Sequence, residues 1–597
     1  MAGALQSDQP HRRRGDAMNR IHARLATLAR PASGIVSQPE PRSIGSFARG
    51  RQLCAGNFLF GGAQVEAPGV AIWELDMPGP RFEEEAHGFT WLDDLAAAGD
   101  GAARTRAQGW TLAWVDRFGR GRGPGWTPDL TARRLIRWLH HALMLLNGLE
   151  RAQSDAIFRS LAQQTAFLGR RWKSAPPGLP RFEALTGLIY AGVSLNGMAR
   201  HLAPALKALE RECDREIDQG GGLPTRNPEE LLSVFTLLTW AEAALADAGQ
   251  EPAAAHRAAI QRIAPTLRAL RHADGALARF HGGGRGPEGR LDQALAESGV
   301  KARPVRGLAM GFARLASGRT TVIVDAGPPP APAVSQNAHA STLAFELTSG
   351  RRPVIVNCGA GTSFGPEWRR AGRATQSHST LAIRGFSSSR FAPRRKGGTP
   401  ALLTEVPKSV ESRTESGLAG HSLTAWHDGY GPTHGLTHVR QLMLAYDGRA
   451  LSGEDTLAAF TDEERAVFDK TMERTALQGV GYDIRFHIHP DVDAEIDMGG
   501  AAVSLALKSG EIWVFRHDGA AEMDLAPSVY LENGRVKPRA TKQIVLSARV
   551  MDYASLITWT LAKAQDTPRA PRDLEPEDEQ APWVLPWTRR DRPEHEG

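Results

Sequence analysis

Residues 337–389 read NAHASTLAFELTSGRRPVIVNCGAGTSFGPEWRRAGRATQSHSTLAIRGFSSS. Two apolar runs, 342–347 and 353–356, flank a Ser-Gly turn, which is the pattern of a hairpin. His339, Asn357, Cys358 and His378 fall near the ends of these runs. A polar side chain at such a point can meet a ligand while a rigid strand holds it in place.

Downstream, further short strand-like runs follow at 422–426, 436–445, 482–488, 502–507, 512–516 and 543–549, and two more precede the hairpin at 311–315 and 320–324. Such a series, punctuated by turn residues, predicts an antiparallel sandwich over 305–565. Upstream the apolar period changes to three and four. Leu135, Leu139, Leu143 and Leu146 recur at that spacing, with Asp129 or Thr131 as the expected cap. Helical patterns continue at 156–168, 182–198, 204–217, 229–246 and through Ile260, Ile263, Leu267 and Leu270. These define a helical domain over 54–280. The Gly-rich stretch 281–304 reads as a linker, 1–50 as a mobile leader and the Pro-rich charged 566–597 as a tail.

At 597 residues the chain has room for two or three domains. No run of about 18 apolar residues occurs, so no membrane span is expected. Three widely spaced cysteines, without a C-x-x-C pair, indicate neither a disulfide framework nor a zinc ribbon. The N-terminal residues lack the apolar core of a secretory signal, which reads as cytoplasmic. The net charge of +6 is modest for this length, and nucleic acid is not an expected partner. Trp73, Trp91, Trp110, Trp114 and Trp126 suit either sugar stacking or helix packing.

The order and spacing of His339, Asn357 and His378 resemble the C-terminal half of the heparinase II/III family of polysaccharide lyases. There a histidine opens a strand, an acidic residue ends the next, and a histidine follows in an H-[NS]-T run. The phrases HGFTWLDDLAAAG from His87 and WTPDLTARRLIRWL from Trp126 resemble the entry to that family's helical domain. The resemblance implies an N-terminal incomplete α/α toroid followed by a C-terminal antiparallel β-sandwich. It also implies a lyase that cleaves a uronic-acid-containing acidic polysaccharide by β-elimination, located in the periplasm or cell envelope.

The implied catalytic candidates are Arg226, as a fork for the substrate carboxylate, and Glu230, His339, His378 and Tyr430 for proton transfer. His339, Asn357 and His378 align with the family's metal ligands, so zinc is the cofactor to consider, although asparagine is a poor ligand where the family has a carboxylate. The phrase WHDGYGPTHGLTH adds His427, Asp428, His434 and His438, and RFHIHP adds His487 and His489. The chain departs from the family in the helical domain. Where the family carries a D-G-G-H-x-E-R-S-x-x-Y-H phrase, this chain has Leu223, Thr225 and Glu230 in place of its histidine, glutamate and tyrosine. A non-catalytic glycan-binding or envelope-assembly protein on the same scaffold is the alternative reading.

Overall fold

The helix Pro228–Asp247 shows how the first half is built. Asn227 caps it by accepting hydrogen bonds from the backbone N–H groups of Glu229 and Glu230 at 3.0 and 3.2 Å, and Pro228 occupies the first turn, where its missing N–H costs nothing. Leu231, Leu232, Val234, Phe235, Leu238, Trp240 and Leu245 are all buried, so the helix is enclosed on more than one side. Leu179–Ser194 and Ala254–Ala269 pack against it. Together with Arg151–Arg171, Leu202–Glu216 and Pro128–His140, these helices form an incomplete α/α toroid. The computed structural model describes residues 8–393 and 401–564, with side chains from residue 15 onward. The expected tail at 566–597 lies outside the described residues.

Several local expectations are corrected. Pro128–His140 has Thr127 in the N-cap position, not Asp129 or Thr131, and ends before Leu143. A separate short helix, Ala142–Leu146, follows and leaves Leu143 exposed, because the break at His141 turns the apolar period out of phase. Trp73, Trp91, Trp110, Trp114 and Trp126 lie in the helical core. Four of their indole N–H groups are directed at internal acceptors: those of Trp73, Trp91 and Trp126 at the carbonyls of Trp110, Ala86 and Phe118, and that of Trp114 at His87 Nδ1. They pack helices and offer no face to a sugar.

The region read as a mobile leader carries the helix Asp8–Ala26. It is docked on Arg151–Arg171, with Gln163 donating to Ala23 O at 3.2 Å and Arg171 to Asn19 at 2.8 Å. The stretch read as a linker holds the helix Arg290–Glu297, whose Leu291 and Ala294 enter the helical core. Glycine-rich composition concealed a folded crossing between the layers.

The second half contains two eight-stranded antiparallel sheets among the described residues. In one, the order is Val410–Ser416, Gly420–Tyr430, Leu436–Ala445, Ala450–Ala458, Ala554–Lys563, Ile512–His517, Ala502–Leu507 and Val492–Asp497. In the other it is Glu522–Tyr530, Arg539–Val550, Val480–Ile488, Arg352–Val356, Phe345–Ser349, Thr320–Asp325 and Phe312–Ser317, with Leu381–Ile383 also paired to Val480–Ile488. Between them lies a second core in which Trp559 stacks on Phe345 and Phe515 at centroid distances of 5.9 and 6.0 Å. Gly453 faces Trp559 across the strand pair, and a Cβ there would lie 2.1 Å from the indole, so only glycine admits the ring. The two cores interlock, because Met310, Phe312, Ile323 and Ala344 from the strand region join the helical core.

Candidate functional site

The observed hairpin strands are Phe345–Ser349 and Arg352–Val356, and they bring His339 and His378 together just beyond their ends. His378 Nδ1 lies 2.8 Å from the carbonyl of Ala374, so that nitrogen carries the proton and Nε2 is an acceptor. His339 Nδ1 sits 2.9 Å from His378 Nε2 and donates to it. His339 Nε2 must then be an acceptor, and the backbone N–H of Gly282 donates to it at 3.0 Å. Both rings are buried and neutral, and no nitrogen of either ring is left over. Burial holds His339 well below the ordinary histidine value and lowers His378 to about 4.

The series extends through residues that sequence reasoning missed. The N–H of His339 donates to His281 Nδ1 at 3.1 Å, which leaves His281 Nε2 protonated and 3.4 Å from Asp325 Oδ2. Ser341 Oγ donates to the same carboxylate oxygen at 2.6 Å. Arg226 reaches the other oxygen, Oδ1, at 2.6 Å. Burial alone would raise the pKa of Asp325, but Arg226 and His281 beside it hold the carboxyl down at about 2.

The remaining donors of Arg226 go to the carbonyls of Met310 at 3.0 Å, Gly311 at 2.8 Å, Gly327 at 3.1 Å and Pro328 at 2.7 Å. A guanidinium has five N–H groups, and all five are used. Gly311 lies directly beneath it, where a Cβ would come within 2.6 Å of the guanidinium. Arg226 thus joins the helical layer to the sandwich and has no fork free for a substrate carboxylate, contrary to the role its sequence position implied. Arg226 and the two histidines do converge, but on a closed internal network and not along an open groove.

Asn357 is equally committed. Its Oδ1 accepts from the N–H of Ser379 at 2.9 Å, and its Nδ2 points to Glu346 Oε1 at 3.4 Å. His339, Asn357 and His378 therefore do not fit a metal ion: the two imidazoles spend their lone pairs on each other and on Gly282, and the third residue is neutral. Among the described residues, no group of three or more His, Cys, Asp or Glu side chains is placed to hold one. Glu230 stands apart, its carboxylate at the start of the neighbouring helix, 3.5 Å from a Cβ position at Gly178, and its pKa is raised by burial. Tyr430 is buried with its hydroxyl donated to Leu381 O at 3.2 Å, and burial raises its pKa, so no phenolate forms there near neutral pH.

The other histidine-bearing phrases also turn inward. His438 Nε2 lies 2.8 Å from Asp455 Oδ1, and Arg440 grips the same carboxylate at 2.8 and 3.0 Å. Trp559 donates to it at 2.9 Å. His427 faces His438 across the strand pair and accepts from Gly429 N–H at 3.1 Å. Asp428 accepts two backbone N–H groups, from Lys408 and Ser409, and His434 packs its ring on Phe386. Cys358 lies 3.4 Å from His487 Nδ1, which also contacts Ser528 Oγ at 2.8 Å. Burial raises the Cys358 thiol, so the pair is not an activated nucleophile. His489 stacks edge-on against Tyr530.

A pH dependence follows. Between the ordinary histidine value of 6.5 and about 4, the unfolded chain takes up a proton at residue 378 that the folded protein refuses. Stability is fully present above 6.5 and is lost as pH falls, by about 1.4 kcal/mol per pH unit for each such histidine. His87, His140 and His487, lowered by burial to about 3, act in the same direction. The urea midpoint should fall steadily from pH 7 to pH 5, and a flat profile would contradict the neutral tautomers.

A family model described as Heparinase II/III-like, C-terminal, matches residues 300–560. The FtsZ-localized protein C of Caulobacter vibrioides (strain NA1000 / CB15N) is 32% identical over 560 residues, which cover 91% of this chain and 92% of that protein. A crystal structure of heparinase III superposes with a TM-score of 0.61 at 12% identity, covering 84% of this chain and 80% of that one. The heparan sulfate lyase HepC from Pedobacter heparinus superposes with a TM-score of 0.54 at 14% identity, covering 93% and 88%. At these identities the structural likeness speaks for the fold.

Proposed function

This chain belongs to the heparinase II/III-like family, and within that family we propose that it is a non-catalytic member, an assembly protein that works where FtsZ organises cell division. The observation that carries this reading is the saturation of the site. β-Elimination needs a free cationic fork to neutralise the uronate, a base to remove the C5 proton and an acid to protonate the leaving oxygen. Arg226 has all five donors engaged, and the neutral His339 and His378 have each nitrogen engaged. Leu223 and Thr225 supply no acid or base where the family phrase has histidine and glutamate, and Glu230 points elsewhere.

The scaffold is retained while its reactive groups are spent on joining the layers. That division supports a role in which shape and surface matter more than turnover. The partner is suggested by the relative named for its localisation with FtsZ, whose sequence is matched over 92% of its length. A fluorescent fusion of the full chain should form a band at mid-cell that disperses when FtsZ is depleted. Uniform fluorescence, or a band that persists without FtsZ, would overturn the assignment.

A further inference from the structure

A cavity of about 430 Å³ opens between the helices Pro228–Asp247 and Ala254–Ala269 and the segment 298–303, and it shares no residue with the histidine network. Ile260, Pro265 and Val300 give it an apolar wall. Pro265 lies inside its helix and has no N–H, so the carbonyl of Gln261 is left without its usual helical donor. Gln261 and Pro265, one turn apart on that helix, both line the cavity.

The opposite wall is held in shape. Arg268 donates to the carbonyls of Val300 at 2.6 Å and Lys301 at 3.4 Å, and Ser298 Oγ accepts the N–H of Val300 at 3.3 Å. The charges are arranged unevenly. Arg257 is tied to Glu242 at 3.4 Å and also to Glu251. Lys301 and Arg303, at the rim, have side chains without a hydrogen bond or ion pair among the described residues. Small-molecule sites commonly fall in the range of about 300 to 1,000 Å³, mostly apolar with a few placed polar groups.

We propose that this cavity binds a small organic phosphate. The phosphate meets Lys301 and Arg303, the apolar or aromatic body lies on Ile260, Pro265 and Val300, and an N–H or O–H group of the ligand satisfies the carbonyl of Gln261. Adenosine monophosphate is the probe, titrated calorimetrically into the full chain beside inorganic phosphate. The nucleotide should bind with one site and at least tenfold more tightly than phosphate, and it should slow amide exchange across 298–303. The double variant Lys301→Glu/Arg303→Glu, altered only at exposed positions, should keep the thermal midpoint and weaken nucleotide binding at least tenfold. Pro265→Ala, which returns an N–H to the Gln261 carbonyl, should weaken it several-fold without lowering the midpoint. The proposal is overturned if the nucleotide does not bind at millimolar concentration, binds no better than phosphate, or binds the double variant as well as the parent.

Discussion

Replacing Arg226 by alanine will lower the stability of the protein by about 3 to 5 kcal/mol, because it leaves a buried carboxylate without its main counter-charge. The side chain spans the junction of the two layers, with one ion pair to Asp325 at 2.6 Å and four carbonyl contacts. Its cationic face also lies 4.7 Å from the ring of Phe312. Removing it takes the side-chain donor from the carbonyls of Met310, Gly327 and Pro328 and leaves Asp325, whose side chain is 1% exposed, with only Ser341 and His281 beside it. Arg226→Lys should be nearly as damaging, since one ammonium cannot reproduce five donors in a planar fork. The decisive comparison is a cycle with Asp325→Leu. If the pair acts as a unit, the double variant should be less destabilised than the sum of the singles, read from urea midpoints followed by circular dichroism. An Arg226→Ala variant within about 1 kcal/mol of the parent would show that the junction is held elsewhere.

Asp455 carries the corresponding burden inside the sandwich. It receives the bidentate guanidinium of Arg440, the ring of His438 and the indole N–H of Trp559, and all four side chains are buried. Burial pushes its carboxyl up, and Arg440 and His438 together overcome this and bring it well below the usual range. Arg440 further donates to Leu343 O at 2.8 Å and Ser379 O at 2.9 Å, so the same cluster steadies the segments before and after the hairpin. Asp455→Ala should cost about 3 to 5 kcal/mol, with Arg440 left charged and unpaired in the core. Asp455→Asn keeps the volume but loses the charge, and it should fall between alanine and the parent. Equal urea midpoints for Asp455→Ala and the parent would remove this cluster from the account.

Much of this architecture is legible in residue order, and the failures have physical causes. The change of apolar period from three-and-four to two marks the passage from toroid to sandwich, and runs such as 436–445 and 502–507 coincide with observed strands. Val492–Asp497 alternates apolar and acidic residues but is short, and Glu522–Tyr530 loses its alternation at Ala526 and Pro527, so both escape notice. His339 and His378 stand out in the sequence by a resemblance in order and spacing to the heparinase II/III pattern, and the structure pairs them. Their use is not readable there, because it depends on partners distant in sequence: a backbone N–H in a glycine-rich segment and an aspartate that merely ends a strand. His281 is followed by three glycines and reads as linker, yet that flexibility lets the backbone of Gly282 come close to His339. Arg226 likewise reads as a fork for an anion, and the anion it meets is internal.

The most direct test is an elimination assay on the purified full chain over a panel of uronic-acid-containing polysaccharides, including heparan and chondroitin sulfates, followed by the ultraviolet absorbance of the unsaturated uronate that elimination would form. The saturated network predicts no absorbance above that of boiled protein, and none that changes in His339→Ala or His378→Ala. Turnover by the parent chain that is lost in either variant would contradict it, and would show that the two histidines leave each other to act on a substrate.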